Sequence, residues 1–183
     1  MGTSFSRDLY MRALNFASAR HLGQKMPGSE NPYVIHVAAV AMEVLATFAL
    51  EEVPDADLAV ACALLHDTVE DTEATREEVA AEFGEAVAAG VVALSKDPAL
   101  PKEQQLADSL ARIRMRPRAV WLVKLADRAV NLEAPPHYWS MDKRRAYLRE
   151  AGQILDALGE ASPSMAARLR DKRVAYEAFI SGA

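Results

Sequence analysis

The chain has one cysteine, Cys62, in 183 residues. That excludes an internal disulfide framework and fits a reducing compartment, the cytoplasm. Cys62 lies inside the apolar run Ala59–Leu65 and reads as a small buried core residue. No uninterrupted apolar stretch reaches the roughly 18–20 residues of a membrane span. No apolar run follows a basic amino terminus, so a secretory signal is not expected; Gly2 and Ser6 meet a loose acylation pattern that short motifs meet by chance. Convincing alternation of apolar and polar residues, the mark of a half-buried strand, is missing throughout. So is an excess of positive charge: 21 Lys and Arg stand against 26 Asp and Glu, a net charge of −5. This argues against a protein whose main task is to grip nucleic-acid backbone. It leaves room for a small phosphorylated substrate, because a metal and a few basic groups can set the potential of one cleft. HExxH, CxxC, GxSxG and phosphate-cradling glycine loops are absent as well.

What is present is helix after helix. Hydrophobic residues make up 51% of the chain, yet mean hydropathy is −0.06, so apolar residues are interleaved with charge. Spacing and breakers predict helices over about Arg7–Arg20, Tyr33–Phe48 and from Pro54-Asp55 into His66-Asp67. Thr75 and Glu78 form a capping-box pattern for a short helix that stops at Gly84, and another runs on to about Leu94. Further helices are expected over Lys102–Arg114, from Pro117 to Leu132, over Met141–Leu158 and over Ser164–Phe179. No repeat or low-complexity linker interrupts them. The expectation is one all-α domain, a helical bundle spanning residues 1–183, with its oligomeric state left open and self-association possible.

Three segments place titratable residues where helical periodicity calls for core. His36 stands among small and apolar residues in Pro32–Val40; alone it is as well explained by a satisfied core histidine. In Ala63–Thr72 the most apolar helix of the chain runs into His66, Asp67, Glu70 and Asp71. His66 and Glu70 are four apart, as are Asp67 and Asp71, so each pair shares a helix face. A solvated helix end would explain acids there, but not an adjacent His-Asp pair, since buried charge is costly unless paired or bound to metal. In Val120–Leu132, Lys124, Asp127, Arg128 and Asn131 make one polar stripe, for which an internal ion pair such as Lys124–Asp127 is the bland alternative. Together these segments offer two imidazoles and two carboxylates from three helices, a ligand set for zinc, manganese or iron in a bundle core. Such an ion lowers the pKa of water, Glu70 or Asp71 can orient that water or accept its proton, and Lys25 or Lys124 can offset phosphoryl charge. Asn131, which both donates and accepts, suits a ribose or phosphate contact; a buried amide tying its helix to a neighbour is the alternative.

His36, His66-Asp67 and Asp127 resemble the H…HD…D signature of the HD phosphohydrolase superfamily. The segments His21-Leu22-Gly23-Gln24, Pro32–His36, Leu65–Thr72, Phe83-Gly84, Ser95-Lys96 and Lys124–Asn131 are similar, in that order, to the hydrolase domain of RelA/SpoT proteins. So is the stretch Trp139-Ser140…Tyr147…Glu150-Ala151, and the resemblance spans about residues 8–158. No synthetase or regulatory domain follows, as in a stand-alone small alarmone hydrolase. The resemblance implies Mn²⁺-dependent removal of the 3′ pyrophosphate from ppGpp or pppGpp. It implies that His36, His66, Asp67 and Asp127 hold the metal, that Glu70 and Asp71 activate water, and that Asn131 and Tyr147 contact the nucleotide.

The chain departs from the family at one loop. An Arg/Lys pair usually follows the glutamine that matches Gln24; here the sequence runs Lys25-Met26-Pro27-Gly28, one residue longer, and Lys25 alone is basic. Guanine, an adenine analogue such as ppApp, and NADPH all stay open as substrates. An HD nucleotidase and a catalytically inactive nucleotide sensor are the competing readings. His137, Tyr138 and Trp139 read as a packed aromatic corner, with the cleft mouth as the alternative.

Overall fold

The computed structural model describes residues 3–181, so Gly2 of the acylation-like pattern lies outside the described residues. Among the described residues ten α-helices follow one another: α1 (Arg7–Arg20), α2 (Val34–Thr47), α3 (Ala56–Leu65), α4 (Thr68–Asp71), α5 (Arg76–Phe83), α6 (Glu85–Leu94), α7 (Lys102–Arg114), α8 (Arg118–Asn131), α9 (Met141–Leu158) and α10 (Pro163–Tyr176). Short 3₁₀ turns lie at Gly159–Ala161 and Glu177–Phe179, and no strand occurs among the described residues. The all-α expectation holds. None of these helices is long and apolar enough to cross a membrane.

Two buried helices form the centre: α3, which is apolar nearly all round and must be buried for want of a polar face, and α8, whose polar Lys124, Asp127 and Arg128 are buried with it. Every residue of α3 from Ala59 to Leu65 is fully buried, and α8 is buried from Ala119 to Ala129. Helices α1, α2 and α6 pack on α3, while α2, α9 and α10 pack on α8. The approach is closest at Gly90 of α6, where a Cβ would lie 2.6 Å from Cys62 Sγ and 3.2 Å from Val120 Cγ2. Burial pushes the Cys62 thiol up to about 12, so it stays protonated and inert.

Most predicted helix ends match local chemistry. Ser6, Ser140 and Ser162 cap α1, α9 and α10 through their hydroxyls, and Thr75 with Glu78 makes both bonds of a capping box. Gly84, at φ 90°, joins α5 directly to α6 in a conformation that other residues rarely adopt. One boundary differs where it matters. The sequence reads helix through His66-Asp67, but α3 ends at Leu65 and α4 begins at Thr68. The Thr68 hydroxyl donates to the Leu65 carbonyl at 2.7 Å, taking an acceptor that a continuous helix would keep for its own backbone. The turn aims His66 and Asp67 at one point. At the carboxy end, the predicted single helix to Phe179 is α10 followed by a 3₁₀ turn.

Gly90→Ala is predicted to destabilise the protein by about 1–3 kcal/mol through overpacking, only partly offset by the ~1 kcal/mol helix gain of alanine. Denaturant unfolding of Gly90→Ala, Cys62→Ala and the double variant checks this. The double variant should recover much of the loss, whereas strict additivity would mean the contact is not responsible.

Candidate metal centre

His36 comes from the first turn of α2, His66 and Asp67 from the α3–α4 turn, and Asp127 from α8. Their donor atoms converge. His36 Nε2 and His66 Nε2 are 3.3 Å apart. Asp67 Oδ2 lies 3.0 Å from His66 Nε2 and 3.5 Å from His36 Nε2. Asp127 Oδ1 lies 3.5 and 3.7 Å from the same two nitrogens. Ligands bound about 2.1 Å from one ion stand roughly 3.0 Å apart at an octahedral edge and 3.4 Å apart in a tetrahedron. All five separations fall near those edges.

Their surroundings fit the same role. The Ala63 carbonyl can only accept, so His66 Nδ1–H donates to it at 2.9 Å, leaving the Nε2 lone pair aimed into the cluster. The Tyr33 hydroxyl donates to Asp67 Oδ2 at 2.5 Å. Lys124 Nζ, itself buried, donates to Asp127 Oδ2 at 3.1 Å, and Asn131 Nδ2 donates to Asp127 Oδ1 at 2.5 Å. Burial disfavours the His36 cation, yet its bonds to Asp127 and Asp67 outweigh that and raise it to about 9. His66 is raised too, against its burial, chiefly by Asp67. Asp67 and Asp127 are held below the usual carboxylate range despite burial, by the imidazoles and, for Asp127, first by Lys124. The two carboxylates therefore call for positive charge at the point where the imidazoles meet. A divalent cation supplies it while leaving both rings neutral, as coordination requires.

Beside this cluster stand the two acids predicted to handle water, in different states. Glu70 is engaged: the Lys96 backbone N–H donates to it at 2.7 Å and Lys96 Nζ at 3.2 Å. Asp71 has a single, long hydrogen bond, from Gln24 Nε2 at 3.4 Å. Its carboxyl is raised by desolvation and then by the charges of Asp67 and Glu70. Gln24 is itself fixed by His21, whose Nδ1 lies 2.6 Å from Gln24 Oε1 and whose ring packs on Tyr33 at 4.8 Å.

From His36 a cleft of about 420 Å³ runs along α2, lined by Met26, Pro27, Ala39, Asn131, Trp139 and Tyr147 among others. Asn131 and Tyr147, expected to contact the nucleotide, both line this cleft. Trp139 serves both readings made for it, lining the cleft and packing edge-on against Tyr147 at 5.0 Å. Arg128 turns away from the metal cluster, lying over the Tyr147 ring at 4.0 Å and pairing with Glu150. Two expected substrate contacts are otherwise occupied. Lys25 pairs with Glu30 on the exposed 25–32 loop and is not among the cleft-lining residues. Lys124 is turned to Asp127, the ion pair weighed as the bland alternative. Sequence reasoning assigned no role to Tyr33, Gln24, Lys96, Glu43 or Arg168. Tyr33 and Gln24 lie in recognised segments, but their partners are set by chain crossings that no spacing reveals.

Tyr33→Phe is predicted to weaken divalent-metal binding roughly 10- to 100-fold, the usual effect of losing a group that orients a ligand. Titration of metal-stripped protein with Mn²⁺, followed by electron paramagnetic resonance, measures it. Unchanged affinity would show that Asp67 is oriented without the phenol.

Comparison with known proteins agrees with the geometry. The family described as HD domain matches residues 13–163. A Danio rerio protein named guanosine-3′,5′-bis(diphosphate) 3′-pyrophosphohydrolase MESH1 is 31% identical over 170 residues, covering 90% of this chain and 92% of its own. Its Homo sapiens namesake is 31% identical over 153 residues, covering 81% and 83%. A solved structure described as a metazoan SpoT orthologue that hydrolyses ppGpp superposes with a TM-score of 0.80 at 27% identity, covering 93% of this chain and 96% of that one. A Listeria monocytogenes structure at 23% identity and a TM-score of 0.62 shares the fold. The chain belongs to the HD-domain family, in the group that holds the MESH1 proteins.

Proposed function

We propose that this protein removes the 3′ pyrophosphate from guanosine alarmones of the ppGpp type, using one Mn²⁺ ion. The observation that carries the reading is the meeting of His36, His66 and Asp67, with Asp127 Oδ1 3.5 Å from His36 Nε2, beside an acid, Asp71, whose hydrogen bond comes from Gln24. The names of the relatives support the substrate class. Zn²⁺ and Fe²⁺ accept the same donors.

When bound at these four residues, the ion lowers the pKa of water and offsets charge on the phosphoryl oxygens. The remaining work falls to the chain. Asp71 accepts the proton of the attacking water, because Glu70 is taken up by Lys96 and Asp71 is not. Gln24, steadied by His21, donates to the Asp71 carboxylate and orients it. An O–P bond forms at the phosphorus joined to the ribose, the P–O3′ bond breaks, and the departing 3′ oxygen takes a proton from solvent. The products are pyrophosphate and the nucleoside 5′-diphosphate. Lys124 acts here through Asp127, whose outer oxygen it holds, and Asn131 and Tyr147 border the nucleotide.

The test is turnover of a panel comprising ppGpp, pppGpp, ppApp, NADPH and nucleoside monophosphates by metal-stripped protein with and without Mn²⁺. Pyrophosphate release from ppGpp that needs Mn²⁺ and disappears in Asp67→Ala is the expected result. Cleavage of monophosphates alone would make the protein a nucleotidase, and turnover of NADPH alone would move the substrate. Metal-bound, folded protein that turns over nothing would make it a nucleotide sensor. Asp71→Asn is expected to lower kcat by about 10²- to 10⁴-fold with Mn²⁺ affinity unchanged, whereas Tyr33→Phe acts on affinity.

A further inference from the structure

The far end of the cleft holds a carboxylate that the metal chemistry does not use. Glu43, on α2, is 7% exposed and lines the cleft together with His36 and Ala39. Positions 36, 39 and 43 share one helix face, and at 1.5 Å per residue Glu43 lies about 10 Å along the axis from His36. That span is of the order of the distance from a ribose 3′ phosphate to the far edge of its purine. Ala39, between them, leaves room.

The Glu43 carboxylate is oriented rather than free. Arg168 of α10 donates from Nε at 3.1 Å to Oε1 and at 3.3 Å to Oε2, and from Nη2 at 2.9 Å to Oε1. A carboxylate has about four lone-pair positions; Oε1 accepts twice from Arg168 and Oε2 once, so the open acceptor position lies on Oε2. The pair carries no net charge, and Glu43 would repel a phosphate brought up to Arg168. A neutral ligand edge rich in donors suits this end better. The other carboxylate there, Glu133, is already paired with Lys172. The walls leading to it, Met26, Pro27, Pro136 and Trp139, are flat and apolar, as a stacked base requires.

We infer that Glu43, held by Arg168, reads guanine in this protein by accepting a hydrogen bond at Oε2 from the N1–H and N2 amino edge of the base. Adenine presents an acceptor at N1, which faces the carboxylate unfavourably. The inference builds on the alarmone reading for its substrate, and binding of the diphosphate products tests it independently of turnover.

The experiment measures affinity for GDP and ADP by calorimetry, and kcat/KM for ppGpp and ppApp, in the wild type, Glu43→Gln and Arg168→Lys, with thermal unfolding as a check on folding. The wild type is expected to favour the guanine ligand by roughly tenfold, the size ordinary for one hydrogen bond to a charged group. Glu43→Gln, which can donate to adenine N1 and accept from its amino group, should abolish or invert that preference. Arg168→Lys keeps the charge but loses the two-point grip, so it should reduce the preference less; it carries the test if Glu43→Gln does not fold. A wild type without preference, or a preference that both variants leave intact, overturns the inference while ppGpp turnover keeps the proposed reaction. Equal weakening of GDP and ADP also overturns it, by making the pair a phosphate contact. Guanine selectivity that depends on Glu43 without ppGpp turnover would uphold the inference and remove the reaction.

Discussion

Two carboxylates and two imidazoles meet within a few ångströms at the centre of an apolar bundle, and their mutual electrostatics govern what surrounds them. Burying Asp127 among Val123, Leu125 and Ala126 is costly unless charge is balanced locally. Lys124 balances one oxygen of Asp127, and Tyr33 and Asn131 donate to the cluster. The arrangement leaves a demand for positive charge at one point, which is the physical basis of a metal site.

The backbone serves that demand. A continuous α3 through Asp67 would wind successive side chains around its axis; the break after Leu65 turns His66 and Asp67 together toward α2 and α8. The same break starts α4, which carries Glu70 and Asp71 past the cluster on the side facing Lys96 and Gln24. Helix α2 then joins two tasks. His36 stands in its first turn at the cluster, and Glu43, two turns on, lines the far end of the cleft. In the proposed reading, reaction and recognition are measured along one helix rather than on loops.

The four donors were legible in the sequence because each is a polar intrusion into an apolar helix, and such intrusions are expensive. His66-Asp67 at the end of the most apolar helix was the clearest case. The capping box at Thr75 and Glu78 was legible for a simpler reason, since both partners lie within one turn. What spacing could not show were contacts closed across the fold: Lys96 to Glu70, 26 residues apart, and Arg168 to Glu43, 125 apart. Glu43 did leave a signal, being the one acid in Val34–Thr47 and seven residues from His36 on the same face. Lys25, expected to face substrate, is drawn outward by Glu30 within its own loop, a competition that charge counting alone does not resolve.

The most direct measurement is a crystal structure of the protein soaked in Mn²⁺, with anomalous scattering recorded at the manganese edge. One anomalous peak within bonding distance of His36 Nε2, His66 Nε2, Asp67 Oδ2 and Asp127 Oδ1 is the predicted result. A peak elsewhere, or none at these four atoms at a concentration that supports turnover, would contradict the assignment of this cluster as the catalytic centre.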